Sequence, residues 1–214
     1  GKLADAWLAD LDLLVFGGHV SVWMERFVTP LRTEVLSLCY VLHMIIPPLV
    51  VLVIGLRGSR QRFVQVVDAF VLISVIGVSL YVLVPATGPK DHLAHLYTRD
   101  LAGGVIDQVN RTLVDATRVP RDAFPSLHVG VSALMLLHAW RSSRALGLAV
   151  LPFIAGNWVA TLYLRYHYAV DVIAGLLLVV LVEIVVRDWH QRFPVTDESQ
   201  RPSIQPPPRQ TSPS

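Results

Sequence analysis

Two histidines and an aspartate stand where a nucleophile, an acid and an orienting group could meet. His167 and Asp171 are four apart within residues 163–171 (YLRYHYAVD). On a helix that spacing puts both side chains on one face, one turn apart. With His167 at a membrane mouth, Asp171 lies one turn deeper, where a carboxylate is expensive unless paired. The nearer imidazole N–H is a suitable partner. That bond would fix the ring tautomer, leave the other nitrogen free to attack, and stabilise positive charge as it develops. Taken by itself, the pair is equally well read as a solvated His and Asp at a polar helix start.

A second grouping is Pro125, Ser126 and His128, in residues 124–128 (FPSLH). Proline suits the first helical turn, and Ser126 can cap the helix or bind an anion, because helix N-termini present free N–H groups. His128 projects from that turn and could act as a general acid toward a leaving group. A plain serine cap and an interfacial histidine is the simpler reading of this grouping alone. Lys90 follows Gly88-Pro89, a turn signal, and could meet a phosphate as a point charge. Arg121 and Arg165 are phosphate ligands if they face inward and ordinary surface charges if they do not.

Long apolar runs must position these groups. The 214 residues are 53% hydrophobic and 16% charged, with mean hydropathy +0.53. A soluble domain carries about 25% charged residues, so the deficit fits a chain whose solvent is largely lipid. A net charge of +2 gives no argument for a nucleic-acid partner. The single cysteine, Cys39, excludes an intrachain disulfide.

The expected fold is all-α, a polytopic transmembrane bundle with five spans at residues 34–56, 63–85, 126–140, 145–164 and 168–186. A helix needs about 20 apolar residues to cross the hydrocarbon core. The first, second and fifth runs are apolar around nearly their whole circumference, unlike a soluble surface helix. Pro47-Pro48 should kink the first span, and the third is short. Arg57, Arg60 and Arg62, then Arg141 and Arg144, then Arg187 and Arg192 fall on one side if the spans alternate. The positive-inside rule makes that side cytoplasmic. The loop over residues 86–123 and the turn at 165–167 then lie outside, with the polar groupings.

Three regions follow. Residues 1–33 mix Trp7, Trp23, Phe16 and Phe27 with acidic residues, and are expected to be an interfacial segment. With an outside start, at least one further span is expected upstream of Gly1. Residues 34–187 are expected to form a transmembrane domain that carries the candidate catalytic groups. Residues 188–214, rich in Pro, Ser and Gln from Pro194, are expected to be a disordered cytoplasmic tail.

The groupings together resemble the type 2 phosphatidic acid phosphatase superfamily. That family carries a Lys-containing block ending in Arg-Pro, a Pro-Ser-x-His block, and a Ser-Arg-x5-His-x3-Asp block. Pro125-Ser126-Leu127-His128 matches the second, and the spacing from His167 to Asp171 matches the end of the third. Thr161 stands where the third block has its arginine, and only Gly88-Pro89-Lys90 stands near the first block's place. The FPSLH and HYxxD patterns are similar to the branch containing inositol phosphorylceramide synthases. The resemblance implies that His167 attacks phosphorus and forms a phosphohistidine, Asp171 orients it, and His128 protonates the leaving oxygen. It implies that Ser126, Lys90, Arg165 and Arg121 hold the phosphate, with no metal and no cofactor. The implied substrate is a lipid phosphate, the acceptor water or an alcohol such as inositol, and the site the outer side of the plasma membrane.

Two other classes compete. A haem or metal membrane protein would draw ligands from His43, His128, His138 and His167. A non-catalytic lipid-binding or transport protein could share the fold, a reading that Thr161 in place of arginine favours and the intact His and Asp positions oppose.

Overall fold

The computed structural model describes residues 3–117 and 121–194, and these are all-α. The helices are α1 (Asp5–Phe16), α2 (Val20–Trp23), α3 (Pro30–Leu42), α4 (Ile46–Arg57), α5 (Arg60–Leu83), α6 (Pro89–His92), α7 (Val105–Thr117), α8 (Leu127–Ser142), α9 (Arg144–Tyr163) and α10 (Ala169–Arg192). Side-chain caps start most of the long ones. Thr29, Ser59, Ser126 and Ser143 each accept from a backbone N–H in the first turn of α3, α5, α8 and α9.

By length and composition, α5, α9 and α10 can each cross a membrane, and α3 and α4, bent by 45° at the break between them, meet the same criteria only when taken together. The third expected span, α8, has only 16 residues, about 24 Å at 1.5 Å per residue. It is the central helix, packed against α4, α5, α9 and α10. The bend in the first span lies at residues 43–45 rather than at Pro47-Pro48. The cause is still the prolines. They cannot donate to carbonyls four residues back, at His43 and Met44, so the break precedes them and they sit in the first turn of α4.

The core is one apolar cluster in which Val50 and Ile54 of α4, Ile73 of α5, Leu134 and Met135 of α8 and Val182 of α10 are almost fully buried. Leu177, Val180, Leu181 and Ile184 of α10 are more than half exposed, as suits a lipid-facing surface. Lipid offers no hydrophobic drive between spans, so close packing must hold them. Gly175 permits one such close approach of backbone to backbone: a Cβ there would collide with the Ser126 carbonyl at the start of α8.

Two regions differ from expectation. The stretch over residues 86–123 contains α6 and the amphipathic α7, which lies on α3. Glu34 of α3 caps α7, accepting from the N–H groups of Gly104 (2.6 Å), Ile106 (2.8 Å) and Asp107 (3.1 Å). At the other end of the chain α10 runs on to Arg192, so residues 188–192, assigned to the tail, are helical. Residues 195–214 of that tail lie outside the described residues.

Candidate active site

The end of α5, the start of α8 and the turn between α9 and α10 meet at one end of the bundle. The Ser126 N–H donates to the Asp171 carbonyl (3.1 Å), and the Ala123 N–H to the Ala86 carbonyl (3.1 Å). Here a cavity of about 140 Å³ opens. His128, His167, Thr87, Asn110, Asp122 and Tyr166 supply polar lining, and Val41, Met44, Leu113 and Val114 an apolar side.

His167 is buried, and its Nδ1 lies 2.8 Å from the Ala123 carbonyl. A carbonyl only accepts, so Nδ1 carries the proton. In the neutral ring Nε2 then bears the lone pair. Nε2 lies 3.3 Å from Nδ1 of His128, which must therefore donate to it. The two imidazoles thus pair an unprotonated nitrogen with an N–H, the arrangement needed for a nucleophile and its partner acid. His128 is held from the opposite side by Tyr40, stacked at 4.7 Å between ring centroids, and by His43, also at 4.7 Å.

Asp171 is not placed as helical spacing implied. The helix starts at Ala169, so His167 lies outside it. Asp171 Oδ2 accepts from the Tyr168 N–H at 2.8 Å as a helix cap, and stands 3.7 Å from His167 Nδ1. The backbone of Ala123 fixes the tautomer; the carboxylate contributes charge just beyond hydrogen-bond distance.

The four expected phosphate ligands separate. Ser126 is fully buried, and its Oγ caps α8 by accepting from the Val129 N–H (3.4 Å), so it lies behind the cavity wall. Arg121 is exposed and does not line the cavity. Arg165 is turned away: its guanidinium stacks 3.8 Å above the Tyr97 ring, donates to the Arg99 carbonyl (2.6 Å) and approaches Glu25 at 4.0 Å. Lys90 does not line the cavity itself, but its ammonium sits 5.8 Å from the ring centroid of Tyr166, which does. Gly88 makes this possible. It holds φ +94°, and a Cβ there would meet the Tyr166 carbonyl.

Replacing Arg165 by alanine should therefore leave KM within about threefold. The lost ring contact and hydrogen bond should lower the thermal unfolding midpoint by about 3–8 °C. Lys90→Ala should instead raise KM roughly tenfold or more. Equal KM effects from the two variants would place Arg165 on the phosphate after all.

Several lining groups carried no sequence signal. Tyr166 is one: burial pushes its hydroxyl up to about 12, and it accepts from Asn110 Nδ2 at 3.3 Å, leaving its own proton to donate. Asn110 arrives on α7 and Thr87 and Asp122 on connections, positions with no helical register to predict them. Asp5 and Asp12 of α1 also reach this end of the bundle, bonding the backbone at Thr87, Gly88, Ala169 and Val170.

At the far end, His138 bonds Glu183 at 2.8 Å beside Arg141, and His190 bonds Asp68 at 2.9 Å. These are helix-to-helix ties. Among the described residues, no three His, Cys, Asp or Glu side chains converge to hold a metal ion.

A family model described as the PAP2 superfamily matches residues 6–185. A PA-phosphatase related-family protein of Dictyostelium discoideum is 28% identical over 120 residues, 54% of this chain. The match spans 22% of that curated relative's length. No solved structure matches the chain.

Proposed function

Because the chain belongs to the PAP2 superfamily, we propose that it transfers the phosphoryl group of a lipid phosphate through a covalent histidine intermediate. The observation that carries this reading is the His167–His128 pair, with Nδ1 of His167 tied to Ala123 and Nε2 facing the acid.

Nε2 of His167 attacks phosphorus, and the bond from phosphorus to the lipid oxygen breaks. The departing oxygen takes the proton on His128 Nδ1; His128 enters the step as the imidazolium, protonated on both nitrogens, and leaves it neutral. His128, now a base, accepts a proton from the incoming water or alcohol, whose oxygen displaces His167 from phosphorus. Substrate must first part the 3.3 Å contact between the rings, since the leaving oxygen departs opposite the attacking nitrogen. The transferring phosphoryl group carries charge on its equatorial oxygens. Lys90 and the Tyr166 hydroxyl are the groups placed to stabilise it. The lipid tail leaves along Val41, Met44 and Leu113, of which Met44 is 56% exposed.

The catalytic end is assigned to the non-cytoplasmic face of the plasma membrane. The supporting feature is that Arg57, Arg60, Arg141, Arg144 and Arg187 sit at the opposite helix ends. With water as acceptor the protein is a phosphatase. The resemblance of the FPSLH and HYxxD patterns to the inositol phosphorylceramide synthase branch is the ground for an alcohol acceptor as a second outcome of the same chemistry.

The direct test is phosphate release from a panel of lipid phosphates in liposomes, with and without inositol. Release without inositol identifies a phosphatase, and a new inositol-containing product a transferase. A folded protein that does neither contradicts the proposal. Asp171→Asn should lower kcat roughly 10²-fold. Loss of the orienting carboxylate from a serine-hydrolase triad costs about 10⁴, largely through the wrong tautomer. Here the Ala123 carbonyl preserves the tautomer, leaving mainly the charge to be lost. A fall as deep as 10⁴ would mean that Asp171, not Ala123, orients the ring.

A further inference from the structure

The N-terminal helix bears two carboxylates two turns apart. Asp5, Leu8, Ala9 and Asp12 share one face of α1 and are all buried, whereas Asp10 on the same helix is exposed. A buried carboxylate is costly unless donors surround it. Both are surrounded, and the donors come from the two walls of the active site.

Asp5 accepts from the N–H groups of Thr87 (2.9 Å) and Gly88 (2.8 Å), and from the Tyr168 hydroxyl (3.1 Å). It therefore grips the connection that leads to Lys90 and, on the other side, the residue after His167. Asp12 accepts from Val170 N–H at 2.9 Å and from Ala169 N–H at 3.2 Å, the first two residues of α10. The two walls also touch directly, through the Lys90 N–H and the Arg165 carbonyl at 2.8 Å. Asp12 and Asp171 together claim the N–H groups of Tyr168, Ala169 and Val170. The positive end of α10 is thereby neutralised within the protein and closed to substrate phosphate.

We propose that α1 is a positioning clamp for phosphoryl transfer, in which Asp5 and Asp12 fix the separation between the Lys90 connection and the His167 turn. This rests on the function proposed above. Neither carboxylate touches substrate; each acts through backbone that carries a reacting or charge-stabilising side chain. Misplacement of a reacting group by about 1 Å can cost on the order of 10²-fold, which sets the scale of the effect.

The experiment compares wild type with Asp12→Ala, Asp12→Asn and Asp10→Ala in detergent micelles. It uses two readouts: the single-turnover rate constant for lysophosphatidate, which does not depend on the folded fraction, and hydrogen exchange at the amides of Ala169 and Val170. Asp12→Ala should slow single turnover roughly 10- to 100-fold and speed exchange at those two amides at least about tenfold, with protection of α5, α8 and α9 retained. Asp12→Asn keeps one acceptor oxygen and should fall between. Asp10→Ala should match wild type in both readouts. A rate constant for Asp12→Ala within twofold of wild type overturns the clamp, as does exchange that rises equally in every helix, which would make Asp12 a general stability residue. If wild type turns over no lipid phosphate the functional proposal fails, and the exchange comparison alone decides whether α1 holds the turn.

Discussion

Replacing His167 with alanine is expected to remove turnover, with kcat falling on the order of 10⁴–10⁶, the scale seen when a covalent nucleophile is deleted. The geometry makes the expectation specific to Nε2. Nδ1 is committed to the Ala123 carbonyl at 2.8 Å, so one nitrogen of the ring is left with a lone pair, and it faces the cavity's second imidazole. Rapid quench of wild type with a radiolabelled lipid phosphate should trap an acid-labile, alkali-stable phosphoprotein, and peptide mapping should place the label on His167. The alanine variant should trap none. Because His167 lines the cavity and lies outside the apolar core cluster, the variant should still fold and bind detergent as wild type does. Near-normal turnover by the variant, or label on another residue, would contradict the assignment of the nucleophile.

The second large effect belongs to His128, and its diagnostic is dependence on the leaving group. Loss of a general acid typically costs 10²–10⁴-fold. That cost should appear in full for an alkyl lipid phosphate, whose departing alkoxide needs a proton. It should shrink to less than about tenfold for p-nitrophenyl phosphate, whose phenolate leaves unaided. The ring packs against Tyr40 and His43, with centroids at 4.7 Å from each, so its truncation also opens space beside the nucleophile. A general packing defect would slow both substrates alike. Equal losses for the two substrates would therefore remove His128 from the proton-transfer role and leave it a wall of the cavity. Accumulation of the phosphoenzyme in His128→Ala would add that the same residue activates the acceptor in the second step.

The amino-acid sequence was sufficient for the membrane character, because hydropathy over 20-residue windows is a property of local composition alone. It located α5, α9 and α10 well, and it marked the helix start at Ser126, where the cap chemistry is encoded within four residues. It also singled out His128 and His167, whose types and neighbours carry the family resemblance, and the structure brings them within 3.3 Å.

Other features depended on contacts between distant parts of the chain. The spacing of His167 and Asp171 implied a shared helix face, yet the helix begins between them, and the tautomer is set by a carbonyl 44 residues earlier. Arg165 and Lys90 were equal candidates as charges. Tyr97, Arg99 and Glu25 draw Arg165 away from the cavity, while Gly88 turns Lys90 toward Tyr166. Asp5 and Asp12 read as part of an interfacial segment, because nothing in their own helix reveals that backbone N–H groups more than 80 residues away will meet them. Composition and local pattern decide which segments are helical and which residue types are capable of chemistry. Which of those side chains face one another is decided by the packing of helices, since a hydrogen bond depends on position in space and carries no trace in sequence separation.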